Sequence, residues 1–230
     1  VYGIAFFVGN LFAMSHIVIP VWAVKELGAS FLMVGVIVAS RQLLPVTMSI
    51  YGGALLDRFG PRRVIVTLGL IGALCTISVP HFPFIWATIL FQIVIGFCET
   101  TNWIGVQSAV GTLMRGEAKF AGRMVAAART GGFFGPILVG AAYETYDPQA
   151  GFLLFGCWAL CGVIGAVFLP RFVSPDAAEA GRRSVRRKTA AAMPRLADYR
   201  DTFRLLVLPA IALVIAATFM RQTGSAVQAS

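Results

Sequence analysis

Apolar runs of about 20 residues recur along this chain, and each is long enough to cross the roughly 30 Å of hydrocarbon in a bilayer. That recurrence constrains the fold more than any other feature. Backbone N–H and C=O groups find no partner in lipid, so a spanning chain closes its hydrogen bonds within helices or within a closed barrel. Barrel strands alternate polar and apolar residues over about ten positions, and these runs do not alternate. The expectation is an all-α membrane protein. Composition agrees: 58% of the 230 residues are hydrophobic and 13% are charged, against about 25% charged in soluble domains.

Seven apolar segments are expected: 1–24, 31–56, 64–79, 84–114, 123–143, 151–169 and one from 205 to near 219. Residues 1–170 then form a six-helix bundle, 171–204 a basic cytoplasmic linker, and 205–230 the start of a second bundle with a partial seventh helix. The chain opens at Val1 and ends within an apolar run, so it reads as a fragment. Segment 1–24 is followed by another span with no small-residue cleavage site, so no signal peptide is expected.

The net charge of +9 points to nucleic acid in a soluble protein. Here it marks topology instead. Fifteen of the 19 basic residues lie in three stretches: Arg58, Arg62 and Arg63 after the second segment, Arg115, Lys119 and Arg123 after the fourth, and nine between Arg171 and Arg204. With alternating spans these lie on one side, and the positive-inside rule makes that side and the N-terminus cytoplasmic. The expected partner of the basic linker is anionic lipid, not nucleic acid. The four cysteines all fall in apolar segments. Cys157 and Cys161 share a helix face without the further ligands a metal needs, so no metal and no cofactor are expected. The sequence has no H-E-x-x-H, G-x-S-x-G or G-x-x-x-x-G-K-[ST], which argues against an enzyme and against direct drive by ATP. Short loops and the absence of N-x-[ST] point to a bacterial inner membrane.

Two motifs carry a family resemblance. The turn after the second segment runs Gly53, Asp57, Arg58, Gly60, Pro61, Arg62, Arg63. It resembles the loop between the second and third spans of the major facilitator superfamily, G-x-L-a-D-r-x-G-r-k, with Pro61 at a commonly basic position. Gly53 is expected to admit a close helix approach, Asp57 to end its helix, and Gly60 to permit the turn. The acid and its arginines, with Arg115 or Arg123, are expected to act as a conformational latch. In the fifth segment Gly122, Gly131, Gly135, Pro136 and Gly140 resemble the fifth-helix motif of the drug/proton antiporter branch, with Val139 in place of a Gly. The expectation there is a bent, glycine-faced helix that packs against the C-terminal half of the protein. In proton-coupled members the fourth helix often carries an Arg four residues before a Gly; here Gln92 precedes Gly96. The first-helix acid of several exporters is missing, and Asn10 and His16 are the polar residues of size there. The resemblance implies a six-helix N-terminal bundle of two inverted three-helix repeats, with the first and fourth helices lining a cavity.

Ionisable residues within spans are functional candidates by default. At about 1.5 Å per residue, Glu99 and Arg41 lie near mid-membrane, with Asn10 at comparable depth. Gln92, Gly96, Glu99, Trp103 and Gln107 form one stripe on the fourth helix, expected to face an aqueous cavity or a partner. Trp103 can stack on a flat substrate, and Arg129 or Arg41 can attract an anion or hold Glu99 ionised. Glu99 and Arg41 are equally readable as a buried structural pair. The leading expectation is a secondary transporter working by alternating access, with proton-coupled efflux of small organic compounds and Glu99 carrying the proton. The alternatives are uptake of an organic anion and a non-transporting sensor.

Overall fold

A computed structural model of the protein describes residues 1–114 and 117–170. The expected linker at 171–204, the partial seventh helix at 205–230 and Arg115 lie outside the described residues. Among the described residues there are eight α-helices and no strands. They are α1 (Tyr2–Val8), α2 (Leu11–Lys25), α3 (Phe31–Ser40), α4 (Leu43–Phe59), α5 (Pro61–Ser78), α6 (Ile85–Leu113), α7 (Ala118–Thr145) and α8 (Pro148–Val167). Paired across short breaks, α1 with α2 and α3 with α4, they make six spans, each long and apolar enough to cross a membrane.

Local chemistry sets the ends. Gly28 and Gly60 take positive φ, 59° and 79°, where a Cβ is disfavoured, and they turn the chain between spans one and two and between spans two and three. Pro61 follows Gly60 as the first residue of α5, where its missing N–H costs nothing; this accounts for a proline in a basic motif. Ser30 caps α3, and Asp147 caps α8 by accepting the Ala150 N–H at 2.6 Å, with Pro148 at the first helical position. Helix α4 runs to Phe59, two residues past Asp57, and α7 starts at Ala118, five residues before the apolar run at 123.

The neighbour pattern has an internal symmetry. Span one packs on span five and span two on span four; span three packs on span four and span one on span six; spans three and six pack on each other. Exchanging spans one, two and three for four, five and six reproduces the same set of pairs. A repeat of three spans is odd, so alternating spans run the second copy opposite to the first. This is the inverted three-helix repeat that the resemblance implies. In lipid, helices associate through close packing at small residues. Gly69 of α5 meets Val163 of α8 in this way, and Gly162 of α8 meets Val8 of α1.

Candidate functional site

The site begins with a proline. Pro45 lies in the first turn of α4 and has no N–H to offer the carbonyl four residues back, which belongs to Arg41. Span two breaks at Arg41–Gln42, with only a tighter Gln42 N–H bond to the Ala39 carbonyl at 3.0 Å. The released Arg41 carbonyl lies against Gly96 of α6, where an added Cβ would collide with it and approach Arg41 Cγ to 2.7 Å.

Around that seat, three turns of α6 grip one residue of span two. Above Gly96, Gln92 Oε1 accepts from Arg41 Nη1 at 3.4 Å. Below it, Glu99 forms an ion pair with Arg41 Nη2, the one ion pair among the described residues. From span one, the Ser15 hydroxyl accepts from Arg41 Nη1 and donates to Gln92 Oε1 at 3.5 Å. The Phe12 ring lies 5.3 Å from the guanidinium carbon, a cation–π arrangement. Arg41 is 2% exposed and Glu99 8%. The stripe Gln92–Gly96–Glu99 thus meets a partner rather than an open cavity. The guanidinium missing at position 92 reaches Gln92 and Glu99 from another helix.

The other expected residues are distributed around this network. Asn10 repairs the break in span one: Nδ2 donates to the Phe6 carbonyl at 2.6 Å, and Oδ1 accepts from Trp158 Nε1 at 3.0 Å. Trp158 Nε1 also donates to the Phe7 carbonyl at 3.1 Å. Carbonyls freed by a break within lipid need such partners, so both polar ends of Asn10 are engaged inside the bundle. His16 is exposed, stacked on Phe12 with centroids 4.0 Å apart. Trp103 is half-buried with its ring against Gly9. Arg129 is exposed and joins neither Arg41 nor Glu99.

The two motifs come out with corrections. Gly52, not Gly53, makes the close approach, with Thr101 Oγ1 3.0 Å from where its Cβ would lie, while nothing lies within 4 Å of the Gly53 position. Asp57, Arg58 and Arg63 are exposed and Arg62 is half-buried. Asp57 makes no ion pair among the described residues, and the guanidinium of Arg58 lies over Phe59 at 5.3 Å. In α7, Gly131 and Gly135 do not face outward to another half. A Cβ at 131 would meet the Phe6 carbonyl and Asn10, and one at 135 would meet Met14 Sδ at 3.0 Å. The glycine face seats span five on span one of the same bundle. Gly122 and Gly140 have nothing within 4 Å. Pro136 lies inside α7.

Ser15, Pro45 and Phe12 were not singled out from the sequence. A serine among the buried positions Leu11, Met14 and Val18 of α2 is the signal that marks Ser15. The proline four residues after a mid-span arginine marks Pro45.

Six helices long and apolar enough to cross a membrane, in a pseudo-twofold arrangement with a charged pair in the middle, define a polytopic α-helical membrane protein. Residues 1–227 match the family model of the Major Facilitator Superfamily, and the chain belongs to that family. It is similar to the multidrug resistance protein MdtH of Klebsiella pneumoniae strain 342, 39% identical over 64 residues. It is also similar to the MdtH protein of Cronobacter sakazakii, 42% identical over 64 residues. The aligned stretch is 27% of this chain and only 16% of each relative. No solved structure matches.

Proposed function

We propose that this chain supplies the N-terminal half of a secondary transporter that works by alternating access and exports small organic compounds in exchange for protons, with Glu99 as the proton-exchanging carboxyl. One observation carries the reading: a carboxylate pinned by an arginine at a helix break, about 21 Å along α6 from its outer end. Removing a buried ion pair in favour of apolar residues is often neutral or stabilising, so packing gives little reason to hold one there. A charge that changes during a transport cycle gives a reason. The name of the MdtH relatives and the antiporter-like residues of α7 favour organic compounds and export. The turn with exposed Asp57, Arg58 and Arg63 and half-buried Arg62 fits a latch on the cytoplasmic side of a bacterial inner membrane.

The test is Glu99→Gln in the full-length protein, in everted vesicles energised by a proton gradient. Addition of an exported compound discharges the gradient with the native protein. In the variant the discharge is lost while the compound still binds. Full discharge by the variant overturns the role of Glu99.

Uptake of an organic anion is the second reading, and the exposed Arg129 favours it. Arg41, its other support, is already paired with Glu99. Under that reading Arg129→Gln raises KM for anions and leaves cations unaffected.

A further inference from the structure

Span one is packed by spans two, four, five and six, which leaves one side of it uncovered among the described residues. Phe12, Ala13, His16 and Ile17 of α2 are exposed there, within an arc of about 140° at about 100° per residue. Two of them are a ring pair. The His16 imidazole and the Phe12 ring have centroids 4.0 Å apart and planes tilted by 38°. Both sit deep. Span one runs from Tyr2 to Lys25, a length of about 36 Å, and His16 and Phe12 lie about 14 and 20 Å from its Lys25 end.

The hydrogen bond of His16 fixes what its ring offers. Nδ1 lies 2.9 Å from the Phe12 carbonyl oxygen. A carbonyl only accepts, so Nδ1 carries the hydrogen, and in the neutral ring Nε2 keeps a lone pair to accept with. Nε2 has no hydrogen-bond partner among the described residues. An imidazole acceptor at mid-membrane does not face hydrocarbon; it turns to water, to a ligand or to protein. Phe12 is held from a second direction by the Arg41 guanidinium, whose carbon lies 5.3 Å from the ring centre. Arg41 is itself fixed by Ser15, Gln92 and Glu99, yet Phe12 stays 48% exposed. A rigid aromatic surface beside one free acceptor makes one wall of a small-molecule site, where apolar area binds and a single polar group sets orientation.

We propose that Phe12 and His16 form a recognition platform for a flat aromatic compound carrying one O–H or N–H donor, with its ring against Phe12 and its donor bonded to His16 Nε2. Phe12 supplies area without direction, and His16 sets the preference for a donor. Naming this class of compound deepens the reading of the chain as half of an exporter of small organic compounds and rests on it. The platform itself stands on the ring pair, the free Nε2 and their depth in the span.

The probes are 2-naphthol and its methyl ether, 2-methoxynaphthalene, which share a ring system and differ in the donor. In equilibrium dialysis against empty nanodiscs, the full-length protein in nanodiscs binds 2-naphthol about five- to tenfold more tightly than the ether, the share of one neutral hydrogen bond. In His16→Phe, which keeps the stack and loses the acceptor, the two bind equally. In Phe12→Leu both bind severalfold more weakly and their ratio is kept. Position is read with Ala13→Cys in a background without other cysteines: a small charged methanethiosulfonate modifies that thiol, and 2-naphthol protects it. An unreactive thiol places the C-terminal half of the protein over this side of span one and overturns the platform, even where a ring variant fails to fold. Equal binding of both probes by the native protein, or an unchanged ratio in His16→Phe, overturns it as well. The two ideas fail separately. If 2-naphthol protects the thiol without discharging the proton gradient of everted vesicles, and no other compound discharges it, export falls and the platform stands. If another compound discharges the gradient while 2-naphthol leaves the thiol unprotected, the platform falls and export stands.

Discussion

At the scale of the residue, the network around Arg41 divides into groups that hold the charge and groups that hold the backbone. Arg41→Leu leaves Glu99 buried without its counter-charge, and breaking one partner of a buried pair costs about 3–5 kcal/mol. Thermal unfolding of the full-length protein in detergent should show that loss. The double variant Arg41→Leu/Glu99→Leu should recover most of it, since the desolvated charge has gone too, while exchanging no protons. If the double variant unfolds as early as the single one, the pair is not an isolated electrostatic unit. Gly96→Ala acts on the other group. Its methyl enters the space of the Arg41 carbonyl, and overpacking of this kind costs about 1–3 kcal/mol. The stripe of Gln92, Gly96 and Glu99 was legible in the sequence because a 3.6-residue period puts those positions on one face. Its partner was not. Hydropathy places Arg41 at the right depth but says nothing about the rotation of span two, which the break at Pro45 decides.

At the scale of the element, the described spans kept their expected order and number, because length and apolarity alone fix them. The breaks in spans one and two stayed hidden. Gly9–Asn10 and Arg41–Gln42 interrupt runs whose hydropathy does not change, and each break lies against side chains of other helices: Trp158 joins Asn10 at the first, and Ser15 and Gln92 accept from the Arg41 guanidinium at the second. The glycine motif of span five was legible as a packing face but not in its target, since two closely packed helices leave the same small-residue pattern whichever chain segment supplies the partner. The contact with span one gives a paired prediction. Gly131→Ala drives a methyl into the Phe6 carbonyl and Asn10, a cost of about 1–3 kcal/mol. Gly140→Ala meets nothing within 4 Å and stabilises the helix by about 0.4–1 kcal/mol through the unfolded chain. Melting temperatures that move in opposite directions bear this out; a shift of both in the same direction would show that the Gly131 seat is not where the structure has it. Pro45→Ala returns an N–H to the Arg41 carbonyl and removes the break at Arg41–Gln42, leaving the separate kink at Met48 (φ −118°, ψ 19°). Transport should fall although the variant melts no earlier than the native protein, because the lost break moves Arg41 off Gly96.

At the scale of the whole molecule, spans two and five stand apart. Within their most apolar windows only 17% and 28% of residues are buried, against 50% in spans one and six. They occupy equivalent places in the two repeats, so the poorly covered surface follows the pseudo-twofold symmetry instead of being scattered over the bundle. Turns at the two ends of the bundle differ in charge. Arg58, Arg62 and Arg63 crowd the turn after span two. The opposite end shows Lys25 together with Glu26, Glu144 and Asp147. If the retention of basic residues on the cytoplasmic side governs insertion, single cysteines in a background without the four native ones will report it. With Cys at Gln149, an exposed position at the start of α8, an impermeant maleimide added to intact cells reacts. With Cys at Arg63, equally exposed, it reacts only after the membrane is opened. The reverse pattern would place the turn of Asp57, Arg58, Arg62 and Arg63 outside the cell, and the latch proposed for it on the cytoplasmic side would have to be abandoned.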